Sequence, residues 1–95
     1  MLEHLTLTHC DAVQIYPPPG PPPQNLTIHL IVGGSLGEGA VNVHSGTADG
    51  HQAGSVGTGE TDDVVVLAAT GVWLHYQKVG NGPNTVEVDY EIRLN

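Results

Sequence analysis

Phenylalanine is absent from these 95 residues, tryptophan occurs once, at Trp73, and tyrosine three times, at Tyr16, Tyr76 and Tyr90. A core without large rings has to be assembled from Val, Leu, Ile and Ala. A chain of this length buries only a modest core, and a partner subunit is a common supplement to it. Cations are equally scarce: Lys78 and Arg93 face ten acidic residues, for a formal net charge of −8. Two scattered cations form no basic patch, which argues against a nucleic-acid partner and against an anionic membrane surface. The acidity favours solubility or a cationic partner. Cys10 is the single cysteine, so no disulfide closes within these residues, whereas a small secreted domain often carries several. The first residues hold neither a basic segment nor an apolar stretch of signal-peptide length, and no run is long enough to cross a membrane as a helix. Synthesis in the cytosol is therefore expected, with Asn25-Leu26-Thr27 matching the glycosylation sequon only by accident.

What is present is β-pattern. From Thr85 to Leu94 the apolar residues Val86, Val88, Tyr90, Ile92 and Leu94 alternate without a break with Glu87, Asp89, Glu91 and Arg93. Side chains on a strand point to opposite faces with period two, so this is a strand buried on one face and wet on the other. At about 3.3 Å per residue it spans roughly 33 Å, the length of a small domain. A sheet wetted on one side is normally antiparallel. Leu2, Leu5 and Leu7 begin a first strand that breaks near Asp11 and resumes through Val13 and Ile15. Asn25 to Val32 forms another and Ala40 to His44 a short one, with a few residues around Val56 as a further candidate. The continuous apolar run Val64 to Ala69 fits a central strand covered on both faces. Val72 to Val79 follows, and Gly80-Asn81-Gly82-Pro83-Asn84 is a turn signal that predicts an antiparallel hairpin into the final strand. No stretch has helical periodicity. The fold expected is a single all-β domain over residues 1–95, a small antiparallel β-sandwich or jelly-roll-like barrel of about seven strands with almost no helix.

Two segments interrupt the strands. Pro17-Pro18-Pro19-Gly20-Pro21-Pro22-Pro23 cannot lie inside a strand or helix, because proline fixes φ and lacks the amide donor. As polyproline II, at about 3.1 Å per residue, it makes a semi-rigid spacer of roughly 20 Å. A stiff connector, an arm lying on a neighbouring subunit and a ligand for an aromatic groove are all compatible with it. The second segment, residues 33–59, is rich in glycine and contains an internal echo, Gly34-Ser35-Leu36-Gly37-Glu38-Gly39 against Gly54-Ser55-Val56-Gly57-Thr58-Gly59, which suggests equivalent turns. Neither copy is a P-loop or a dinucleotide fingerprint, since neither carries the required lysine or opens a helix.

Candidates for chemistry are few. Ser35, Ser45 and Ser55 sit in glycine-rich surroundings without a nucleophile elbow, and His9 next to Cys10 places no base in space. Glu87, Asp89 and Glu91 share one strand face about 6.6 Å apart. Paired carboxylates at that distance can serve glycoside hydrolysis, but alternation with apolar residues already accounts for them as a solvated face. Six histidines are many for this length. His44, Asp49 and His51 flank one glycine-rich loop and are the candidates to converge on a divalent metal, but they match no established spacing, so no metal or cofactor is assigned. Protonating the imidazoles cancels much of the negative charge, so association is expected to change between about pH 7 and pH 5.

The physical character favours a non-enzymatic structural or assembly protein, by analogy a small virion component such as a phage capsid decoration or minor head or tail protein. Its partners are itself, as a homo-oligomer, or a larger protein shell, and its place is in the assembled particle. Tyr16, Pro17, Pro18, Pro19, Pro21, Pro22, Pro23 and Trp73 are the residues expected at the subunit contact. The alternative is a carbohydrate- or ligand-binding β-sandwich module using Trp73 and loop carboxylates; a small enzyme is the third reading, since such a fold hosts all three.

Overall fold

The computed structural model describes residues 2–16 and 23–95. The proline segment from Pro17 to Pro22 thus lies outside the described residues. Eight strands follow one another: β1 (Glu3–Thr8), β2 (Ala12–Tyr16), β3 (Gln24–Val32), β4 (Gly39–Ser45), β5 (His51–Gly57), β6 (Thr61–Ala69), β7 (Val72–Lys78) and β8 (Thr85–Leu94). There is no helix among the described residues. The strands form two antiparallel four-stranded sheets, ordered β1-β8-β3-β6 and β2-β7-β4-β5.

The pairs β1 with β8, β2 with β7, β3 with β6 and β4 with β5 are those of one long hairpin folded in half at residues 46–50 and rolled over itself. This is the two-sheet jelly roll. Only β4 and β5 are consecutive strands that pair. The expected hairpin of the last two strands does not form: β7 pairs with β2 and β4, β8 with β1 and β3, and the turn between them crosses from one sheet to the other. Turn chemistry specifies a reversal of direction without specifying to which sheet the chain returns. That crossing is held by Tyr76, whose buried ring lies in the core while its hydroxyl donates to the Pro83 carbonyl at 2.8 Å.

The core is aliphatic, as the lack of large rings requires. Leu7, Leu26, Ile28, Leu30, Val88 and Val66 from one sheet meet Val41, Val43, Val72, Leu74 and Tyr76 from the other, all fully or almost fully buried. Each such side chain contributes about 1.5–3 kcal/mol through removal from water. The long alternating strand behaves as its pattern predicts: Val86 and Val88 are buried, and Glu87 is exposed.

The eight strands agree with the expectation of about seven, the few residues around Val56 forming a full strand, β5, of seven residues. Two further expectations are corrected. The echo is not a pair of equivalent turns: residues 34–38 form the loop between β3 and β4, while most of the second copy is β5 itself. The two copies meet where the Thr58 hydroxyl donates to the Ser35 carbonyl at 2.6 Å and accepts from the Glu38 amide at 3.1 Å. Finally, Val64 to Ala69 is not a central strand. β6 ends its sheet, with Val64 and Val66 turned into the core and Val65 and Leu67 turned out, 53% and 72% exposed.

Candidate functional site

The two sheets present outer faces of opposite character. On β1, β8 and β3 the outward positions are mostly charged or hydroxylated, as are Thr61 and Asp63 of β6 before the apolar Val65 and Leu67. His4 stands between two carboxylates of β8, Nδ1 at 2.7 Å from Asp89 Oδ1 and Nε2 at 2.7 Å from Glu87 Oε2, and the Thr6 hydroxyl donates to the same Glu87 oxygen at 2.8 Å. Both ring nitrogens therefore act as donors, which requires the imidazolium. Its pKa lies above the ordinary histidine value, first through the hydrogen bond to Asp89 and then through that to Glu87. The Glu87 carboxyl is held below its ordinary range by the Thr6 hydroxyl and then by His4. Along the same face His29 Nδ1 meets Asp63 Oδ1 at 2.6 Å, joining β3 to β6, and Arg93 Nε donates to Glu91 Oε1 at 2.8 Å, which lowers the pKa of Glu91. The carboxylates first considered for glycoside chemistry are thus tied into ion pairs across a solvated face.

The outer face of β2, β7, β4 and β5 is different. None of the ten acidic residues lies in these four strands, and their single cation, Lys78, is held at the end of β7 with Nζ 2.6 Å from Asn84 Oδ1. Register sets the outward residues into rows. Gln14, Trp73, His44 and Gln52 form one row across the sheet; Ala12, His75, Asn42 and Ser55 form the next. Within them Ser55 Oγ donates to Asn42 Oδ1 at 2.9 Å and Asn42 Nδ2 to Gln77 Oε1 at 3.4 Å. His44 Nδ1 lies 2.9 Å from the Gly50 carbonyl, and the His44 and His75 rings meet edge to face at 6.0 Å between centroids. The indole of Trp73 lies over Gly71, where a Cβ would come within 2.9 Å of it.

The third feature is the side of the sandwich where both sheets end, at β5 and β6. A cleft of about 160 Å³ opens there, lined by Ser45, His51, Ala53, Val65, Val66 and Leu67. From Val64 to Ala69 the strand carries no charge, and Asp62 and Asp63 precede it.

Of the residues expected at a subunit contact, Tyr16 and Trp73 come together on neighbouring strands, Tyr16 opposite Val72 and Gln14 opposite Trp73. Tyr16 packs against the core from the end of β2, while Trp73 is half-buried on the outer face. Pro23 is exposed just before β3, and Pro17, Pro18, Pro19, Pro21 and Pro22 lie outside the described residues. His44, Asp49 and His51 do not converge: His44 is turned to Gly50, and no cluster of three potential metal ligands occurs among the described residues. Cys10 is exposed in the bend between β1 and β2, at a φ of 71°. The apolar edge of β6 and the face whose four strands carry no acid were missed from sequence, although the exposed member of each alternating pair in Val64–Leu67 and the absence of acids from four separated segments were the signals.

No family model matches the chain, and no curated protein matches it. Among solved structures, a chain described under "Bacillus endospore appendages form a novel family of disulfide-linked pili" superposes with a TM-score of 0.56 at 18% identity, over 100% of this chain and 85% of that one. At this identity the likeness speaks for the fold: the β-architecture of that pilus protein and of this chain is shared.

Proposed function

We propose that this chain is a non-enzymatic structural subunit that self-associates into an extended assembly. The observation that carries the reading is the edge of β6: six successive uncharged residues, Val64 to Ala69, with Val65 and Leu67 exposed and no strand beyond them among the described residues. Natural monomers blunt such edges with lysine, proline or a covering loop, because unpaired N–H and C=O groups template the addition of another strand. Here Asp62 and Asp63 stand at the start of the strand and a bulge at Leu67 and Ala68, with Ala68 at a φ of 51°, marks its far end, which leaves the stretch between them uncharged and regular. β5 and β6 end the sheets on one side of the sandwich, and β1 and β2 end them on the other. An edge from each side, brought together head to tail, is a heterologous contact, which builds an open filament wherever its rotation does not close a ring. In this reading Tyr16 and the prolines 17–19 and 21–23 form the arm that follows β2 onto a neighbour.

Assembly into pili, stated for the solved neighbour, supports a polymer more than the decoration of a viral shell, for which the fold offers only that jelly rolls occur in capsids and in lectins alike. The disulfide linkage of that family does not carry over simply. Cys10 is the single cysteine of these residues, and one cysteine per subunit joins two subunits and no more. The contacts along the assembly are therefore non-covalent in this proposal.

Sedimentation velocity tests it. Wild type is expected to sediment as a concentration-dependent series, and Val65→Lys with Leu67→Lys as a monomer with unchanged far-UV circular dichroism. Identical distributions for the two proteins reject the β6 edge as the contact.

A further inference from the structure

We propose that the outer face of β2, β7, β4 and β5 is a binding platform for a neutral polysaccharide. The inference stands apart from the assembly reading, which uses the β6 edge. In a chain of net charge −8 none of the four strands contributes a carboxylate to this face, Glu60 reaching over Gly57 from the turn beyond β5, and its hydrogen-bonding groups are amides, imidazoles and a hydroxyl on the strands that carry the single tryptophan. The groups are fixed by contacts made beneath them. A carbonyl only accepts, so the hydrogen of His44 sits on Nδ1, toward Gly50, and Nε2 of the neutral ring is an acceptor. The relay from Ser55 through Asn42 engages Gln77 Oε1, so the Gln77 amide nitrogen is left as a donor. Trp73 Nε1 makes no hydrogen bond among the described residues. The face thus presents both donors and acceptors on the strands that carry the aromatic ring.

Sugar hydroxyls both donate and accept, and the C–H faces of a pyranose are apolar, so a polyhydroxylated ring matches this set in both respects. Strand spacing of about 4.8 Å and a row spacing of about 6.6 Å place the polar groups at intervals comparable with a sugar unit. Trp73 held over Gly71, and Asn42 held by Ser55, lose little freedom on binding. No cation on the face receives a carboxylate or phosphate, and the overall charge repels an acidic glycan, which selects neutral saccharides. A second copy of the chain fits less well. The cores of protein interfaces are apolar, and none of the exposed large hydrophobics Leu2, Leu36, Val65, Leu67, Val79 and Leu94 lies within the four strands of this face.

The single tryptophan provides the readout. Wild type is run in native gels containing hydroxyethyl cellulose, glycol chitin, galactomannan or dextran, with polygalacturonate as the anionic control, and Trp73 fluorescence is titrated with the oligosaccharide of any polymer that retards it. At least one neutral polymer is expected to retard the protein and its oligosaccharide to change the emission saturably, while polygalacturonate does neither. Trp73→Ala and Gln77→Ala, checked for folding by circular dichroism, are expected to lose the retardation at least tenfold, and Val65→Lys to keep it. Retardation by none of the four neutral polymers overturns the proposal, as does unchanged retardation of Trp73→Ala. Trp73 emission that depends on protein concentration alone overturns it in favour of a second copy covering the face.

Discussion

His4 Nε2 and Glu87 Oε2 stand 2.7 Å apart and join the edge strand β1 to β8, the longest strand of the molecule. The second nitrogen of the same ring lies at the same distance from Asp89. The pKa of His4 is raised above 6.5, first by Asp89 and then by Glu87, so its stabilising effect is complete below that value and is lost as pH rises through the elevated pKa. The pKa of Glu87 is lowered from 4.5, first by Thr6 and then by His4, so its contribution is present above that value and is lost as pH falls through the depressed pKa. The two windows overlap between 4.5 and 6.5. Thermal melts of His4→Ala are expected to fall below wild type at pH 5.5 and to meet it at pH 8.5. An equal deficit at both would assign His4 a packing role instead.

Neighbouring residues on β6 make opposite predictions. Val64 is 6% exposed and Val65 53%. Val64→Asp buries an unpaired charge against the second sheet and is expected to cost about 3 kcal/mol or more. Val65→Lys is expected to stay within about 0.5 kcal/mol of wild type, as surface changes do. Chemical denaturation with a midpoint shift for the first alone is the anticipated outcome; equal shifts would mean that the register of β6 is wrong.

The crossing between β7 and β8 rests on the Tyr76 hydroxyl and the Pro83 carbonyl. Tyr76→Phe keeps the ring in the core and removes the donor, for an expected loss of about 1 kcal/mol. For a domain of this size that is a drop in Tm of about 4–8 °C, read by calorimetry. A Tm within one degree of wild type would show that the carbonyl is as well satisfied by water.

Much of the fold was legible where one strand carried its own pattern. β8 alternates strictly in sequence, and its buried and exposed residues follow that alternation from Thr85 to Val88, beyond which Asp89 to Ile92 are all half-buried. β3 reads equally well. β6 misled because its outward residues Val65 and Leu67 are as apolar as its inward ones, so an edge strand looked like a covered one. The pairing of β7 and β8 was not legible because a turn of Gly, Asn and Pro is chemically the same whether the next strand joins the same sheet or the opposite one. Trp73 stood out as the single tryptophan, but its surroundings could not be seen, since Gln14, His44 and Gln52 reach it only through the folding in half of the whole chain.

Hydrogen–deuterium exchange of the β6 backbone, followed by mass spectrometry at rising protein concentration, tests the self-association through that edge most directly. The account predicts that peptides covering Val64 to Ala69 gain protection as the protein associates, while those covering β7, already paired on both sides, do not change. Association accompanied by unchanged exchange in β6 would contradict it.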